Sequence, residues 1–241
     1  MKLQLQSRVA AGMALGIVAL MTLTPAAKSD SDKVKDAAHQ SAAAAKAFDA
    51  IMQVPDQAIP RDLLAKAKAV AVFPQVIKVA VTVGGEGGRG VVCRRTATGW
   101  ASPVFFRGGG PSFGAQVGAS STDYFLLMMN DESLAGLMKD RFELGGEAEA
   151  AAGPVGRNAG AATDALMQAA ILSYSRSRGL FAGVNVKGVV LRPEDDLNKA
   201  VYGQTAKELL KDPIEAASPS EELKSLPDTL TRYTNRSSDD R

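Results

Sequence analysis

The chain is poor in the side chains on which most enzymatic chemistry depends. Of its 241 residues one is cysteine, one histidine and one tryptophan, and aromatics make up 5%. Cys93 has no partner for an intramolecular disulfide, and its place in the apolar run Val91-Val92-Cys93 predicts a buried, inert thiol. His39 is the sole histidine, so no His/Cys cluster can bind zinc, and Glu194-Asp195-Asp196 lacks the spaced oxygen series of a cation loop. No metal, cofactor or catalysis is expected. An excess of one charge is lacking too, with 28 basic residues against 26 acidic ones.

Long hydrophobic runs are scarce, and the one that stands out is at the beginning. Lys2 and Arg8 precede an uncharged stretch, Val9 to Leu23, and Thr24-Pro25-Ala26-Ala27 supplies small residues for a cut after Ala26. That order is the pattern of a cleavable export signal over residues 1–26. A permanent span needs roughly 20 apolar residues, more than this stretch has. Without a cysteine after the run, a lipoprotein anchor is not expected. The predicted location is periplasmic or secreted, with peripheral attachment to an envelope membrane as an option. Cleavage removes Lys2 and Arg8, leaving 26 basic and 26 acidic residues, so whole-molecule attraction to nucleic acid is not expected. A local asymmetry survives: Lys66 to Arg107 holds seven basic residues and one acid, Glu86.

The rest reads as one α+β domain, with a glycine-rich, mainly antiparallel sheet or barrel-like core and helices at both ends. An alanine-rich helix is predicted over Ser31 to Met52, within an N-terminal segment 27–58, and a short one over Arg61 to Lys68. β-branched runs then predict strands at Ala69 to Phe73 and Val76 to Val83. Eleven glycines between Gly84 and Gly118 predict tight turns between short strands at Gly90 to Arg95, Trp100 to Phe106 and Phe113 to Ala119. Tyr124 to Met129, Leu166 to Ser175 and Leu180 to Leu191 read as further strands. Helices are expected over Asp131 to Met138, after Pro193 and over Gln204 to Leu210. The core unit is placed at 59–212. From 213 to 241, serine, proline and charge predict a flexible tail.

Two motifs that suggest catalysis lack their context. Gly85-Glu86-Gly87-Gly88-Arg89-Gly90 fits a dinucleotide loop, but the strand-forming Val91-Val92-Cys93 follows where a helix must begin. Gly110-Pro111-Ser112-Phe113-Gly114 fits a nucleophile elbow, but no histidine follows Ser112 to accept its proton. Binding is better supported. Phe105-Phe106-Arg107 precedes a glycine run, and aromatic rings beside arginines can meet a lipid interface. Alternation along a strand sends Phe105 and Phe106 to opposite faces.

A series of motifs in order carries a family resemblance: Phe73-Pro74, Gly84 to Gly90, Gly99-Trp100-Ala101-Ser102-Pro103, Ser112 to Gly118, Gly153-Pro154-Val155-Gly156-Arg157 and Tyr174 to Gly183. Asn198 and Tyr202-Gly203 fit the closing segment. From about Ile59 to Leu210 the chain resembles the SYLF lipid-binding domain, in particular bacterial members that carry a signal peptide. The resemblance implies an acidic-phospholipid-binding module without known catalysis, whose eukaryotic members meet phosphoinositides and, in some, actin. The candidates it points to here are Lys78, Arg89, Arg94, Arg95 and Arg107, with Arg157, Arg176 and Arg178 beside them; Phe106 joins the set from the aromatic run next to Arg107. Bases near an anionic surface contribute about 1 kcal/mol each, so five or six aligned ones suffice for peripheral binding. The expected partner is an acidic phospholipid or membrane surface. The alternative is an envelope structural or interaction protein that packs its sheet against a protein partner.

Overall fold

A computed structural model describes residues 29–54, 58–156, 169–177, 179–215 and 221–235, with the backbone alone at 80–83 and 112–119. The predicted signal, residues 1–26, lies outside the described residues. Helix α1 (Asp30–Met52) begins at Ser29, whose side chain accepts the Asp32 N–H, and acids in its first turn suit the helix dipole. Helix α2 (Arg61–Lys66) follows. No helix among the described residues is long and apolar enough to cross a membrane.

The predicted short strands join into two very long ones, β1 (Ala69–Arg94) and β2 (Val104–Met128), paired antiparallel from Ala69↔Met128 to Val92↔Val104. The glycines expected to make turns lie inside the ladder instead, with Gly87 opposite Gly109 and Gly88 opposite Gly108. The reason is curvature. Strand β1 bulges between Phe73 and Val76, where Gln75 takes a φ of 52° and its N–H is held by Asp123 Oδ1 at 2.9 Å. The strand then curls until Phe73 lies over Gly90, where an added Cβ would come within 2.2 Å of the ring. Glycine is required there by close approach, not by a turn.

After β2 come α3 (Asp131–Leu137), β3 (Phe142–Glu143), β4 (Ala150–Ala152), β5 (Ile171–Ser177), β6 (Leu180–Gly183), β7 (Val190–Pro193), α4 (Asp195–Tyr202), α5 (Ala206–Lys211) and α6 (Ser225–Asn235). The sheet runs β3-β7-β2-β5-β4, with β1 also on β2 and β6 on β5. Only the β4–β5 pairing is parallel among those described. The result is the expected α+β class, a strongly curled mixed sheet shaped like half a barrel, with helices from both ends of the chain. The run predicted as one strand, Leu180 to Leu191, is two: β6 turns back on β5, while β7 pairs with β2 and β3. The first part of the strand expected from Leu166 lies outside the described residues.

Side chains alternate across the sheet into two apolar layers. Phe73, Val92, Phe106, Leu126 and Leu191 fill the inside of the curl, capped by Leu134, Phe142 and Leu209. Val70, Val72, Val91, Phe105, Phe125 and Leu127 point outward and are covered by Phe48 and Ile51 of α1, Leu64 of α2 and Leu230 of α6. Burial on both faces explains why the strand segments read as nearly continuous apolar runs.

The predicted flexible tail is corrected in part by α6. Leu223, Leu226 and Leu230 are fully buried and Tyr233 is 5% exposed. Tyr233 meets Phe48 edge-on at 6.2 Å, and its hydroxyl donates to Asp49 at 2.6 Å. Spacings of three and four among these residues form an apolar stripe that composition alone does not reveal.

Candidate functional site

The antiparallel register fixes the position of three arginines. Arg89 of β1 lies opposite Arg107 of β2, and Arg107 lies opposite Arg192 of β7. Each follows or precedes a residue of the inner layer by one position, so all three stand on the outer face, one per strand, a strand spacing of about 4.8 Å apart. Three like charges in a row require a counter-charge. Glu194, immediately after β7, supplies it from a side chain that is 2% exposed.

Local structure holds Glu194 there. Its N–H donates to Phe105 O at 2.9 Å, and its carbonyl accepts the Leu197 and Asn198 N–H groups at 2.9 Å, opening α4. Asn198, also buried, accepts the Phe105 N–H at 2.9 Å and donates to Phe105 O at 3.1 Å, fastening α4 to β2. The Glu194 carboxylate then accepts Arg89 Nε at 3.0 Å on Oε1, Arg89 Nη2 at 2.8 Å on Oε2, and Arg107 Nε at 2.5 Å on Oε1. That hydrogen bonding raises the Arg89 pKa above its ordinary value, against partial desolvation, with the charges of Glu194 and then Asp36 adding to it. Asp36 of α1 stands 3.9 Å from Arg89 Nη1. One turn later Gln40 donates to Gly90 O at 2.9 Å, which seats α1 against β1.

Beside this network is a cleft of about 630 Å³, bounded by the arginine row, Lys33 and Asp36 of α1, and Asp195 and Asp196 at the start of α4. The Arg107 side chain is 71% exposed. Arg107 gives one N–H to Glu194, and Arg192 gives none to any acceptor among the described residues. A guanidinium carries five N–H donors in a plane, so the open ones suit the oxygens of a phosphate or carboxylate. Among the described residues no group of three or more His, Cys, Asp or Glu side chains is arranged to hold a metal ion.

Of the predicted residues, Arg89 and Arg107 meet in this cleft. Arg94 and Arg95 do not. Arg94 Nη1 donates to the carbonyls of Leu210 and Lys211, at the end of α5, the latter at 3.0 Å. Arg95 donates to Leu64 O at 2.7 Å and Ala67 O at 2.9 Å, at the end of α2, and stacks 4.0 Å above the buried Trp100 ring. Burial lowers the Arg95 pKa. Both arginines satisfy helix C-terminal carbonyls.

Lys78 is partly buried on β1, eleven positions from Arg89 and opposite Ser120. Arg176 lies at the far end of β5, by Val54 and Phe181. Arg157 and Arg178 lie outside the described residues. Phe106 is a correction: it is 1% exposed and fills the inside of the curl, so it cannot face a lipid interface. The opposite placement of Phe105 and Phe106 holds, but both faces are covered, and both rings are core. Residues 110–114 run within β2, with no helix following as a nucleophile elbow requires. Sequence reasoning did not find Arg192 or Lys33, and it weighed Glu194 only as part of a cation loop that it set aside.

Comparison with known proteins places the chain. The family model Ysc84, described as Las17-binding protein actin regulator, matches residues 109–233, just over half of the chain and through α6. LAS seventeen-binding protein 3 of Saccharomyces cerevisiae is 35% identical over 161 residues, covering 64% of this chain and 35% of that protein. Protein YSC84 of the same yeast is 32% identical over 194 residues, covering 77% of this chain and 41% of that protein. The human SH3 domain-containing YSC84-like protein 1 is 32% identical over 186 residues, covering 75% and 54%. The chain thus spans about a third to a half of the length of these relatives. It belongs to the Ysc84 (SYLF) family.

Proposed function

We propose that this protein is an exported, non-catalytic phospholipid-binding protein that attaches peripherally to acidic membranes. One observation carries the reading: the row Arg89–Arg107–Arg192, held by buried Glu194, opens donors of Arg107 and Arg192 onto a cleft. A counter-ion that receives two arginines while leaving their outer donors free orients a phosphate site without neutralising it. The basic surface is narrower than the five or six aligned bases expected from sequence. Arg107, Arg192 and Lys33 contribute about 3 kcal/mol on an anionic surface, at about 1 kcal/mol each. Such binding is weak and salt-sensitive. The test is co-sedimentation of the purified protein with phosphatidylglycerol vesicles and with phosphatidylcholine vesicles, at low and high salt. Binding to phosphatidylglycerol alone, lost at high salt, supports the reading; equal binding to both, or none, sinks it.

A second reading, an envelope interaction protein, has its own observation. Strand β1 pairs only with β2 among the described strands, and Ile77 and Val79 on it are each 49% exposed. An open strand edge beside apolar side chains suits a protein partner, and the yeast relative's name declares one in Las17. Crosslinking in intact cells separates the two. Protein adducts through the Ile77–Val79 segment, without recovered lipid, favour the partner.

A further inference from the structure

We propose that the arginine cleft takes a phosphate group that carries a primary ammonium on a short tether, the chemistry of a phosphoethanolamine headgroup. This rests on the phosphate-binding reading above and names the ligand class it left open. The cleft is not simply basic. Its floor is the cationic row on β1, β2 and β7, its α1 side carries Lys33 with Asp36, and its α4 side is acidic, with Asp195 and Asp196. Glu194 is already matched by Arg89 and Arg107, and Asp36 lies 3.9 Å from Arg89 Nη1, so neither counts toward the acidic wall.

Carboxylates thus stand beside the cationic row on the α4 side. A plain anion that reaches Arg107 and Arg192 lies close to Asp195 and Asp196 and is repelled by them. A phosphate with an attached ammonium pairs with both, its oxygens on the guanidinium donors and its N–H groups on Asp196. Asp195 has one oxygen engaged by the Ala206 N–H at 2.8 Å, whereas Asp196 is exposed on the first turn of α4. The acids thus favour ligands with the second charge over those without it. A quaternary ammonium has no N–H to donate and fits less well. At about 630 Å³ the cleft is of the size that small-molecule sites occupy. The headgroup can come from a membrane lipid or from a soluble phosphoester, since both present the same atoms.

The experiment is calorimetric titration of the purified protein with O-phosphoethanolamine, glycerol 1-phosphate and phosphocholine. A parallel arm uses phosphatidylcholine vesicles with and without an equal part of phosphatidylethanolamine. O-phosphoethanolamine is expected to bind roughly tenfold more tightly than glycerol 1-phosphate, the factor of one added ion pair, with phosphocholine between them. Gain of vesicle binding on adding phosphatidylethanolamine assigns the ligand to the membrane; soluble binding without it assigns a soluble phosphoester. The variant Asp196→Lys lies on an exposed helix position and is expected to reverse the order of the first two ligands. Equal affinities, or an order that Asp196→Lys leaves unchanged, overturn the inference while phosphatidylglycerol binding still stands. Failure of phosphatidylglycerol binding alone overturns the acidic-membrane reading and leaves this one intact.

Discussion

Two pairs of arginines on the same sheet serve opposite ends. Arg94 and Arg95, where β1 ends, point at the C-termini of α5 and α2 and donate to carbonyls that those short helices leave unsatisfied. Arg107 and Arg192, on neighbouring strands, point at a cleft and keep donors open to it. Residue type and strand position are nearly the same. What differs is the element across the way: a helix end, with its partial negative charge, or open space. An arginine in a basic stretch is therefore not a binding residue until its acceptors have been traced.

The largest effect on stability is expected from Arg95→Ala. It removes two charge-assisted hydrogen bonds to backbone carbonyls and the stack on Trp100, and leaves α2 without its cap. Bonds to charged groups contribute about 1.5–3 kcal/mol. With Arg95 partly buried, the loss expected in urea unfolding is about 3 kcal/mol, and vesicle binding by the folded fraction stays unchanged. A drop in binding without a drop in stability would place Arg95 with the open pair.

Arg89 stands between the two classes, and Arg89→Ala is expected to have an intermediate effect. Its paired hydrogen bonds to Glu194 are lost, but Arg107 still reaches that carboxylate. The guanidinium is 42% exposed, so a destabilisation of about 2 kcal/mol, discounted for solvent screening, is expected. Vesicle affinity falls as well, because Glu194 then holds Arg107 more closely. Urea unfolding and co-sedimentation on the same preparation check both halves; a change in only one would assign Arg89 to a single class.

How far the sequence reveals this follows from the range of the interactions. Helices α1, α4 and α5 are legible because caps and propensity are local: Ser29 opens α1, and Thr205 with Glu208 forms a capping box on α5. The apolar runs in β1 and β2 are legible as strands by their β-branched residues. Their fusion into two curled strands is not, since a glycine that admits Phe73 looks the same as one that makes a turn. Helix α6 was hidden by the polar composition around Leu226, Leu230 and Tyr233. The cleft depends on longer contacts still. Arg192 joins Arg107 only through the β2–β7 pairing, and Glu194 lies 105 positions from Arg89. Arg89 and Arg107 could be nominated from the basic stretch, but not told apart from Arg94 and Arg95.

The smallest effect on stability is expected from the double substitution Arg107→Gln with Arg192→Gln, and it tests the comparison most sharply. Arg107 is 71% exposed and gives Glu194 one N–H, while Arg192 faces solvent. Glutamine keeps a donor for Glu194, and Arg89 retains its own bonds to that carboxylate. With Glu194 still paired to Arg89 and the lost partner 71% exposed, the cost is expected to be about 0.5 kcal/mol or less after solvent screening. Urea unfolding should therefore be nearly superimposable on that of the unaltered protein, while co-sedimentation with phosphatidylglycerol vesicles at low salt falls to the phosphatidylcholine level. A loss of stability near that of Arg95→Ala would make the row a structural device like the helix-capping pair, with the cleft a by-product of its packing. Unchanged stability with unchanged binding would move the lipid contact off this face altogether, toward the open edge of β1 with Ile77 and Val79.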